Sequence, residues 1–389
     1  MIEVSVVMPC LNEAETVGAC VAQARSAFAA HGVEGEVIVA DNGSQDGSQA
    51  IATAAGARVV PVTERGYGNA LMGGIAAAQG KYVVMGDADA SYDFGELPRF
   101  LDKLRGGDEL VQGCRLAGGG GTVLPGAMPP LHRFWGNPMF SWMARVWFRA
   151  PIHDVHCGLR AFTVDLYHRL DLTCTGMEFA SEMVIKASLA RARISEVPIT
   201  LHPDGRRGRK PHLRTFRDGW RHLSFFLIYS PRWLFLAPGL VLALLGVLGY
   251  VVAMPGMQIN GVTFDVSTLL FASLGFIAGY QSIVFAVLTK VFAIVEGLLP
   301  PDPRIDRVAR IFELERGLIV GALVGMSGAA LLLVAIAQWR AHAFGPLDYE
   351  VTLRWVIPGV TLVVLGLQTI LASFYLRILQ LARRHQTRY

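Results

Sequence analysis

Charged residues are scarce in this 389-residue chain, at 17%, whereas hydrophobic residues make up 52%. This composition excludes an intrinsically disordered chain, which carries few apolar residues and much net charge. It is also more apolar than is usual for a soluble protein, so part of the chain is expected to lie in lipid. At about 150 residues per domain, the length allows roughly two to three domains.

Paired cysteine motifs are missing as well. The five cysteines form no CxxC pair and no zinc-binding spacing, and all fall in the first half of the chain. They are Cys10, Cys20, Cys114, Cys157 and Cys174. Disulfide scaffolds and zinc modules are therefore excluded, and reduced thiols facing a cytosol are expected. The first residues lack a basic stretch followed by an apolar one, so no secretory signal is expected there.

Long uncharged apolar runs are confined to the second half of the chain. Four of them have about the 20 residues that span a bilayer core. They cover residues 233–253, 266–289, 317–339 and 355–376. These runs predict four transmembrane helices, and a buried helical bundle is the alternative. The run 116–131 is also uncharged, but its glycines and prolines predict a loop.

The distribution of lysine and arginine predicts the orientation in the membrane. These residues concentrate before the first run, after the second and after the fourth, whereas the loop 254–265 has none. The positive-inside rule then puts both termini and the N-terminal domain in the cytoplasm. The formal net charge is +4, and the excess basic residues lie in segments expected next to anionic lipid headgroups. The basic charge therefore does not require a nucleic-acid partner.

Residues 1 to about 200 alternate short β-type runs with alanine-rich helical stretches. The predicted strands cover 3–8, 36–40, 58–62 and 82–85, and the predicted helices cover 14–31, 47–55 and 69–79. This alternation predicts a Rossmann-like α/β domain with a mostly parallel sheet. In such sheets ligands bind beyond the carboxyl ends of the strands. No GxGxxG motif follows the first strand, which argues against a dinucleotide-binding fold.

Two carboxylates follow the fourth predicted strand. Asp87 and Asp89 are two positions apart, and their hard oxygens suit Mg²⁺ or Mn²⁺ that also binds a diphosphate. Asp93 is a weaker third candidate. An ordinary turn or helix cap remains the alternative for this pair, and equally for the acids at 41–46. What favours a site is that polar residues follow successive strand ends in order.

The motifs PCLNEAET, VIVADNGSQDGS, ERGYGNAL and VVMGDADASYDF resemble the successive motifs of family 2 glycosyltransferases with the GT-A fold. HCGLRAF, after Asp154, and GMEFASEM narrow the resemblance to polyprenyl-phosphate glycosyltransferases, such as dolichol-phosphate mannose and glucose synthases. The match covers about residues 1–220. It implies an enzyme that transfers one hexose, with inversion, from a UDP- or GDP-hexose to a dolichyl or undecaprenyl monophosphate.

The resemblance also implies roles for individual residues. The donor would be bound by Pro9, Leu11, Glu13, Asp41, Asp87, Ala88 and Asp89. Asp87 and Asp89 would hold Mg²⁺ or Mn²⁺, with Ser91 as a third candidate ligand. Ser91 stands where some mannosyl members have Gln, and Asn42 stands where a second Asp is common. These departures leave the sugar and the third ligand open, and the absence of a QxxRW motif argues against processive polysaccharide synthases.

Basic and aromatic residues predict where the lipid acceptor binds. The segment 133–149 has three arginines, six Phe or Trp and no acid, the composition of a helix in the membrane interface. A second such helix is predicted within 211–232, and packing on the chain's own domain is the alternative for both. Charge-assisted donors for the lipid phosphate are expected near the site. The candidates are Arg115, Arg133, Arg206 and Lys210.

Some residues keep two interpretations. Asp154 and Arg160 could serve the site or form a buried ion pair with each other, and Glu182 could be an active-site group or a structural hydrogen-bond acceptor. Arg115 is grouped with Asp87 and Asp89 as the catalytic set.

The predicted organisation has three parts. A cytoplasmic GT-A domain covers 1–210, an amphipathic helix or linker covers 211–232, and a four-helix membrane domain with a cytoplasmic tail covers 233–389. The membrane helices would anchor the enzyme and shelter the prenyl tail, and homo-oligomerisation through them is an open alternative. Rival functions are a scaffold with a degenerate transferase domain and a lipid-linked sugar flippase. The complete carboxylate set argues against the first, and the uncharged spans argue against the second.

Overall fold

The computed structural model describes residues 2–206, 215–296, 299, 302–305 and 314–386. The chain divides into two compact units, Met1–Phe226 and Leu227–Tyr389. The predicted acceptor residue Lys210 lies outside the described residues.

The first unit contains a mixed β-sheet. In chain order its strands are β1 Val4–Cys10, β2 Gly35–Asp41, β3 Arg58–Pro61, β4 Tyr82–Met85, β5 Leu110–Cys114, β6 Thr122–Val123, β7 Arg160–Thr163, β8 Ile194–Pro198 and β9 Thr200–Leu201. Among the described residues, seven strands form one sheet in the order β3-β2-β1-β4-β7-β5-β8, and β6 pairs with β9. Only β7 runs antiparallel to its neighbours in this sheet. The predicted α/β class with a mostly parallel sheet is confirmed.

The described residues up to Ile228 form eight α-helices, several of which pack on the strands of the sheet. They are α1 Val17–His31, α2 Ser48–Ala54, α3 Tyr67–Ala76, α4 Leu97–Arg105, α5 Asn137–Phe148, α6 Val164–Leu170, α7 Phe179–Leu189 and α8 Thr215–Ile228. In α4, Leu97, Phe100, Leu101 and Leu104 are buried, which is the spacing of one helical face. This pattern explains why a segment with Lys103 and Arg105 at its exposed end still folds onto the core.

The predicted elements match the observed ones with small shifts, whereas the five strands from β5 to β9 and the helices α4 and α6 were not predicted. α1 begins at Val17 rather than residue 14, because the Glu13 carbonyl accepts from the N–H groups of Thr16 and Val17 and forms the first turn. β5, β7 and β8 have no counterpart among the predicted strands. β7 has only four residues, too few for a period-2 pattern to stand out.

The described part of the second unit consists of helices and one short hairpin. A wide turn at Arg232–Leu236 leads into α9 Ala237–Ala253, and β10 Gln258–Ile259 pairs with β11 Val262–Thr263 before α10 Val266–Val295, α11 Leu314–Ala341 and α12 Tyr349–Gln386. In the described part of the chain, four helices are long and apolar enough to cross a membrane. They cover Arg232–Ala253, Val266–Val295, Leu314–Ala341 and Tyr349–Leu379. The four predicted spans are therefore confirmed.

Glycines allow these helices to approach closely in pairs. A Cβ atom on Gly246 of α9 would lie 2.8 Å from the Ala272 carbonyl oxygen of α10. One on Gly328 of α11 would lie 2.6 Å from the Gly359 carbonyl oxygen of α12. Small residues at such crossings replace the hydrophobic effect, which is absent between helices in lipid, with close van der Waals packing.

Candidate active site

The carboxyl ends of the central strands meet at one edge of the sheet. Cys10 of β1 lies beside Asp41 of β2, and Val7 of β1 lies beside Met85 of β4. Because β7 is antiparallel, with Arg160 beside Met85, the chain that precedes β7 arrives at this same edge. Asp87, which follows β4, is thereby brought to the HCGLR motif.

Asp87 follows β4 at this edge. The Tyr67 hydroxyl donates a hydrogen bond to Asp87 Oδ1 over 2.9 Å. Burial and the negative charge of Asp89 raise the pKa of Asp87 to about 6. A Cβ atom on Gly158 would lie 2.8 Å from Asp87 Oδ2, so a larger residue here would displace the carboxylate. A buried carboxylate beside a second negative charge is an environment that a cation would stabilise.

Asp89 closes the turn that contains it. The backbone N–H of Ser91 donates to Asp89 Oδ1 over 3.0 Å, and Arg206 Nη2 lies 3.6 Å from Oδ2. Across the described ranges, no group of three or more His, Cys, Asp or Glu side chains could hold a metal ion. Asp87 and Asp89 do offer the hard oxygen donors that Mg²⁺ or Mn²⁺ requires, and such ions commonly take their other ligands from phosphate and water. The two residues fit such an ion, and Ser91 as a third ligand stays a prediction.

Arg206 lies among the carboxylates of Glu13, Asp89 and Asp204. Its guanidinium bonds to Asp204, and its Nη1 lies 3.1 Å from Glu13 Oε1. Burial raises the pKa of Glu13 to about 7, and the positive charge of Arg206 opposes this shift. The hydrogen bond that Arg206 donates to Asp204 and the charge of Glu13 raise the pKa of Arg206 above its usual range. Arg206 therefore neutralises the acids beside Asp89.

The other predicted donor residues lie along the same edge. Asp41 is buried and accepts hydrogen bonds from its own turn and, over 2.6 Å, from Gln49 Nε2. Pro9 and Ala88 are buried, and Leu11 is half-buried. The structure brings these residues to one edge, and their contacts with a nucleotide stay a prediction.

Asn42 ties the end of β2 to the loop that precedes α3. Its Nδ2 donates to the carbonyl oxygens of Val62 over 3.1 Å and Glu64 over 2.8 Å. Its Oδ1 accepts from the Gly66 N–H over 2.8 Å. An aspartate could accept from Gly66 but could not donate to either carbonyl, so the amide at this position has a structural use.

Arg115 and Asp154 form a buried ion pair. Arg115 Nε lies 2.7 Å from Asp154 Oδ2, and Nη2 lies 2.9 Å from Oδ1. The backbone N–H of Arg115 also donates to Oδ2 over 3.0 Å. The charge of Asp154 raises the pKa of Arg115 further above its usual range, against the effect of burial. This bidentate pair fixes the chain after β5 to the chain before β7.

The interpretation of Asp154 and Arg160 as an ion pair is therefore wrong. Arg160 is fully buried, and it donates through Nη1 to the Ala180 carbonyl and through Nη2 to the Cys157 carbonyl, each over 2.6 Å. The reason is geometric, because Arg115 follows β5 and reaches Asp154 with three donors, whereas Arg160 begins β7 and crosses to α7.

Glu182 is also buried and holds the chain before α7. Its carboxylate accepts from the N–H groups of Thr173 and Cys174, the second over 2.8 Å, and it pairs with Lys186 over 2.9 Å. These contacts match the structural interpretation of Glu182.

A basic cavity of about 410 Å³ lies beside the ion pair. Three arginines and one histidine line it together with glycines of the 118–121 loop and apolar side chains that include Phe134. The basic residues are Arg115, Arg133, Arg145 and His153. Two of the predicted phosphate-binding arginines thus meet here, whereas Arg206 is not among the lining residues. Arg145 was not predicted as a phosphate-binding residue. The basic and aromatic composition of its segment could have indicated this role.

The helix that carries two of these arginines presents an exposed apolar stripe. Its members are three or four positions apart, and they are Leu131, Trp135, Met139, Trp142 and Val146. Trp135 is 71% exposed, although large apolar residues are normally buried. The predicted interfacial helix 133–149 corresponds to a wide turn at His132–Gly136 followed by α5.

Two family models match the chain. Residues 5–170 match the family model described as glycosyl transferase family 2. Residues 287–380 match the model described as the glycosyltransferase family 2 C-terminal transmembrane region. The two matched segments fall in the two units of the chain.

Individual relatives are similar over different lengths. The chain is 38% identical over 374 residues to the low-salt glycan biosynthesis hexosyltransferase Agl6 of Haloferax volcanii, covering 96% of this chain and 88% of that protein. It is 33% identical over 198 residues to a dolichyl-phosphate hexose transferase of the same organism, covering 51% of this chain and 82% of that protein. A crystal structure of glucosyl-3-phosphoglycerate synthase from Mycobacterium tuberculosis with Mn²⁺, UDP-glucose and phosphoglyceric acid is similar with a TM-score of 0.45 and 23% identity, over 58% of this chain and 78% of that one.

Proposed function

The chain belongs to family 2 of the glycosyltransferases, and we propose that it transfers one hexose from a nucleotide sugar to a polyprenyl monophosphate. The observation that carries the acceptor class is the basic cavity beside an exposed apolar stripe, in a chain with four candidate spans. Such a surface suits an acceptor that is an anion at one end and a hydrocarbon at the other. The name of the dolichyl-phosphate hexose transferase relative supports the same class.

The donor would bind along the strand ends. Asp87 and Asp89 would hold Mg²⁺ or Mn²⁺, which when bound would neutralise charge developing on the departing diphosphate. Glu13 and Arg206 border this position, and Asp41 would contact the base. Because Arg206 lies 3.6 Å from Asp89, we assign it to the donor side rather than to the acceptor phosphate.

The acceptor phosphate would occupy the basic cavity. Arg133 and Arg145 would supply charge-assisted hydrogen bonds, and Arg115 would be oriented by its pair with Asp154. A phosphate monoester is already largely dianionic near neutral pH, since its second pKa is about 6. The nucleophile therefore needs no dedicated general base, unlike a hydroxyl group.

The reaction would be a single displacement at the anomeric carbon. A phosphate oxygen of the lipid attacks this carbon, the bond from the carbon to the diphosphate oxygen breaks, and the nucleoside diphosphate leaves with the electron pair. Attack opposite the leaving group inverts the anomeric configuration. Catalysis then comes from positioning the two substrates and stabilising the leaving group.

The membrane supplies the acceptor. The exposed apolar stripe from Leu131 to Val146 would lie in the headgroup region, as in other interfacial helices. The charge distribution of the loops supports a cytoplasmic position for both termini and the catalytic unit, where the nucleotide sugar would be bound.

A cross of donors and acceptors tests the proposal. The purified full chain in detergent is incubated with UDP- or GDP-linked glucose or mannose, with or without a short-chain polyprenyl phosphate, and the lipid fraction is analysed by mass spectrometry. We expect one donor to give a prenyl phosphate hexose, with the product lost in EDTA and in Asp89→Ala. The matched control Asp102→Ala removes an exposed acid and should keep activity. Transfer only to water-soluble acceptors, or a lipid product that is unaffected by EDTA, would contradict the proposal.

A further inference from the structure

Tyr67 contacts a predicted metal ligand from a part of the chain that supplies none of the acids. It is the first residue of α3, and its hydroxyl lies 2.9 Å from Asp87 Oδ1. An ionised carboxylate can only accept hydrogen bonds, so the phenol O–H of Tyr67 donates in this contact and Asp87 Oδ1 accepts. On the other side of the carboxylate, the close approach of Gly158 restricts Oδ2.

The loop that carries Tyr67 is held at two further points. The Asn42 amide bonds the carbonyls of Val62 and Glu64 and the Gly66 N–H, as described above. The Gly68 N–H donates to the Thr175 carbonyl over 2.9 Å. One contact fixes the backbone before Tyr67 and the other fixes the backbone after it. The position of the phenol ring is therefore well defined.

The second support requires glycine on both sides of the tyrosine. A Cβ atom on Gly66, which has φ of 141°, would lie 2.3 Å from the Thr175 carbonyl oxygen, and one on Gly68 would lie 2.2 Å from the Cys174 carbonyl oxygen. Glu182 in turn fixes the N–H groups of Thr173 and Cys174. Glu182, which is not itself at the predicted metal site, thus fixes the segment 173–175 against which the Tyr67 loop packs.

We propose that Tyr67 is a positioning residue that keeps the Asp87 carboxylate in its metal-binding orientation, and that Asn42 holds Tyr67 in place. This inference rests on the proposed function, in which Asp87 and Asp89 bind a divalent cation with the donor diphosphate. Hydrogen-bond partners that orient a metal ligand typically change metal affinity by about 10- to 100-fold when they are removed. Asn42 acts one step further away, through the backbone of the loop.

The test measures metal binding directly. Free Mn²⁺ is followed by electron paramagnetic resonance during titration of the full chain in detergent, with UDP or GDP as the probe. Tyr67→Phe removes only the hydroxyl, and we expect Mn²⁺ affinity to fall by about 10- to 100-fold. Nucleotide affinity in EDTA and the thermal unfolding midpoint should stay at wild-type values, which a general loss of structure would not allow.

Two controls separate this inference from the proposed function. Tyr167→Phe removes a hydroxyl from a ring that stacks on Phe162, away from the site, and should bind Mn²⁺ like wild type. Asp89→Ala should lose metal-dependent binding. If wild type and Asp89→Ala bind Mn²⁺ equally, the proposed function fails. If they differ but Tyr67→Phe matches wild type, only the positioning role of Tyr67 is overturned.

A double-mutant cycle tests the link to Asn42. Asn42→Asp keeps the acceptor for the Gly66 N–H but loses both donors. It should weaken Mn²⁺ binding in the presence of Tyr67 and have little further effect in Tyr67→Phe, because both changes release the same carboxylate. Independent effects that multiply in the double variant would overturn the assignment of Asn42 to this role.

Discussion

Removal of Arg133 should weaken binding of the lipid acceptor while leaving the nucleotide donor unaffected. Arg133 lines the basic cavity, its guanidinium lies 5.4 Å from the centre of the Phe134 ring, and its side chain is exposed. It is not in contact with the acids that would bind the donor. Truncation therefore removes a cationic donor without leaving a buried charge unpaired.

The size of the effect follows from the type of contact. A hydrogen bond to a charged group contributes about 1.5–3 kcal/mol. Since each 1.4 kcal/mol is a factor of ten, Arg133→Ala should raise the KM for prenyl phosphate by about 10- to 150-fold. Arg133→Lys should recover only part of this, because one ammonium group cannot reproduce the fork of a guanidinium.

The assay combines lipid-dependent kinetics at saturating donor with calorimetric titration of the nucleotide. Arg99→Ala is the matched control, because Arg99 is exposed, pairs with Glu96 and lies outside the cavity. Its lipid KM should equal that of wild type. An unchanged lipid KM in Arg133→Ala, or an equal loss of nucleotide affinity, would refute the assignment of the cavity to the acceptor phosphate.

Three further predictions concern stability, pH and topology. Asp154→Asn leaves the buried charge of Arg115 without its partner and should lower the free energy of unfolding by about 3–5 kcal/mol. Glu96→Gln, the control at an exposed pair, should lower it by less than about 1 kcal/mol. Equal shifts of the unfolding midpoint in the two variants would contradict this prediction. Burial raises the pKa of Glu13 from its usual 4.5 to about 7, so the metal-free folded chain holds a proton that the unfolded chain releases. The free energy of unfolding should therefore fall by up to about 3 kcal/mol as the pH rises from 4.5 to about 7. In Glu13→Gln, the unfolding midpoint should depend less on pH over this range. A pH dependence equal to that of wild type would refute the shift. Reporters at the C terminus and in the loop 254–265 should lie on opposite sides of the membrane in a protease-protection assay, and finding both on one side would contradict the predicted orientation.

The sequence predicted the parts of the site that follow parallel strands. Asp41 and Asp87 come directly after apolar runs, and the parallel order of such runs is enough to bring their ends to one edge. The four spans could also be predicted from the sequence, because the thickness of the bilayer core determines their length and its apolar interior determines their composition. In both cases a local pattern determined the outcome.

The pairing of charged side chains depended on a strand that the sequence hardly marks. β7 is short and antiparallel, and its direction decides that Asp154 faces Arg115 while Arg160 crosses to α7. Arg206 is likewise distant in the chain from Glu13, which it contacts at 3.1 Å. Tyr67 lies in the motif ERGYGNAL. Its contact with Asp87, however, depends on a loop that is held by hydrogen bonds to two other segments of the chain.

The position of β7 in the sheet also constrains how the chain is made. β4 acquires its second neighbour only after the long segment that carries β5, α5 and the HCGLR motif has left the ribosome. At about 5–20 residues per second, that interval lasts several seconds. During it β4 is an open edge with unpaired backbone groups, which is the usual template for wrong strand pairing. Until Arg160–Thr163 is synthesised, β4 is therefore open to wrong pairing. The last strand of the sheet, which ends at Pro198, is made before the first apolar span, which begins at Arg232.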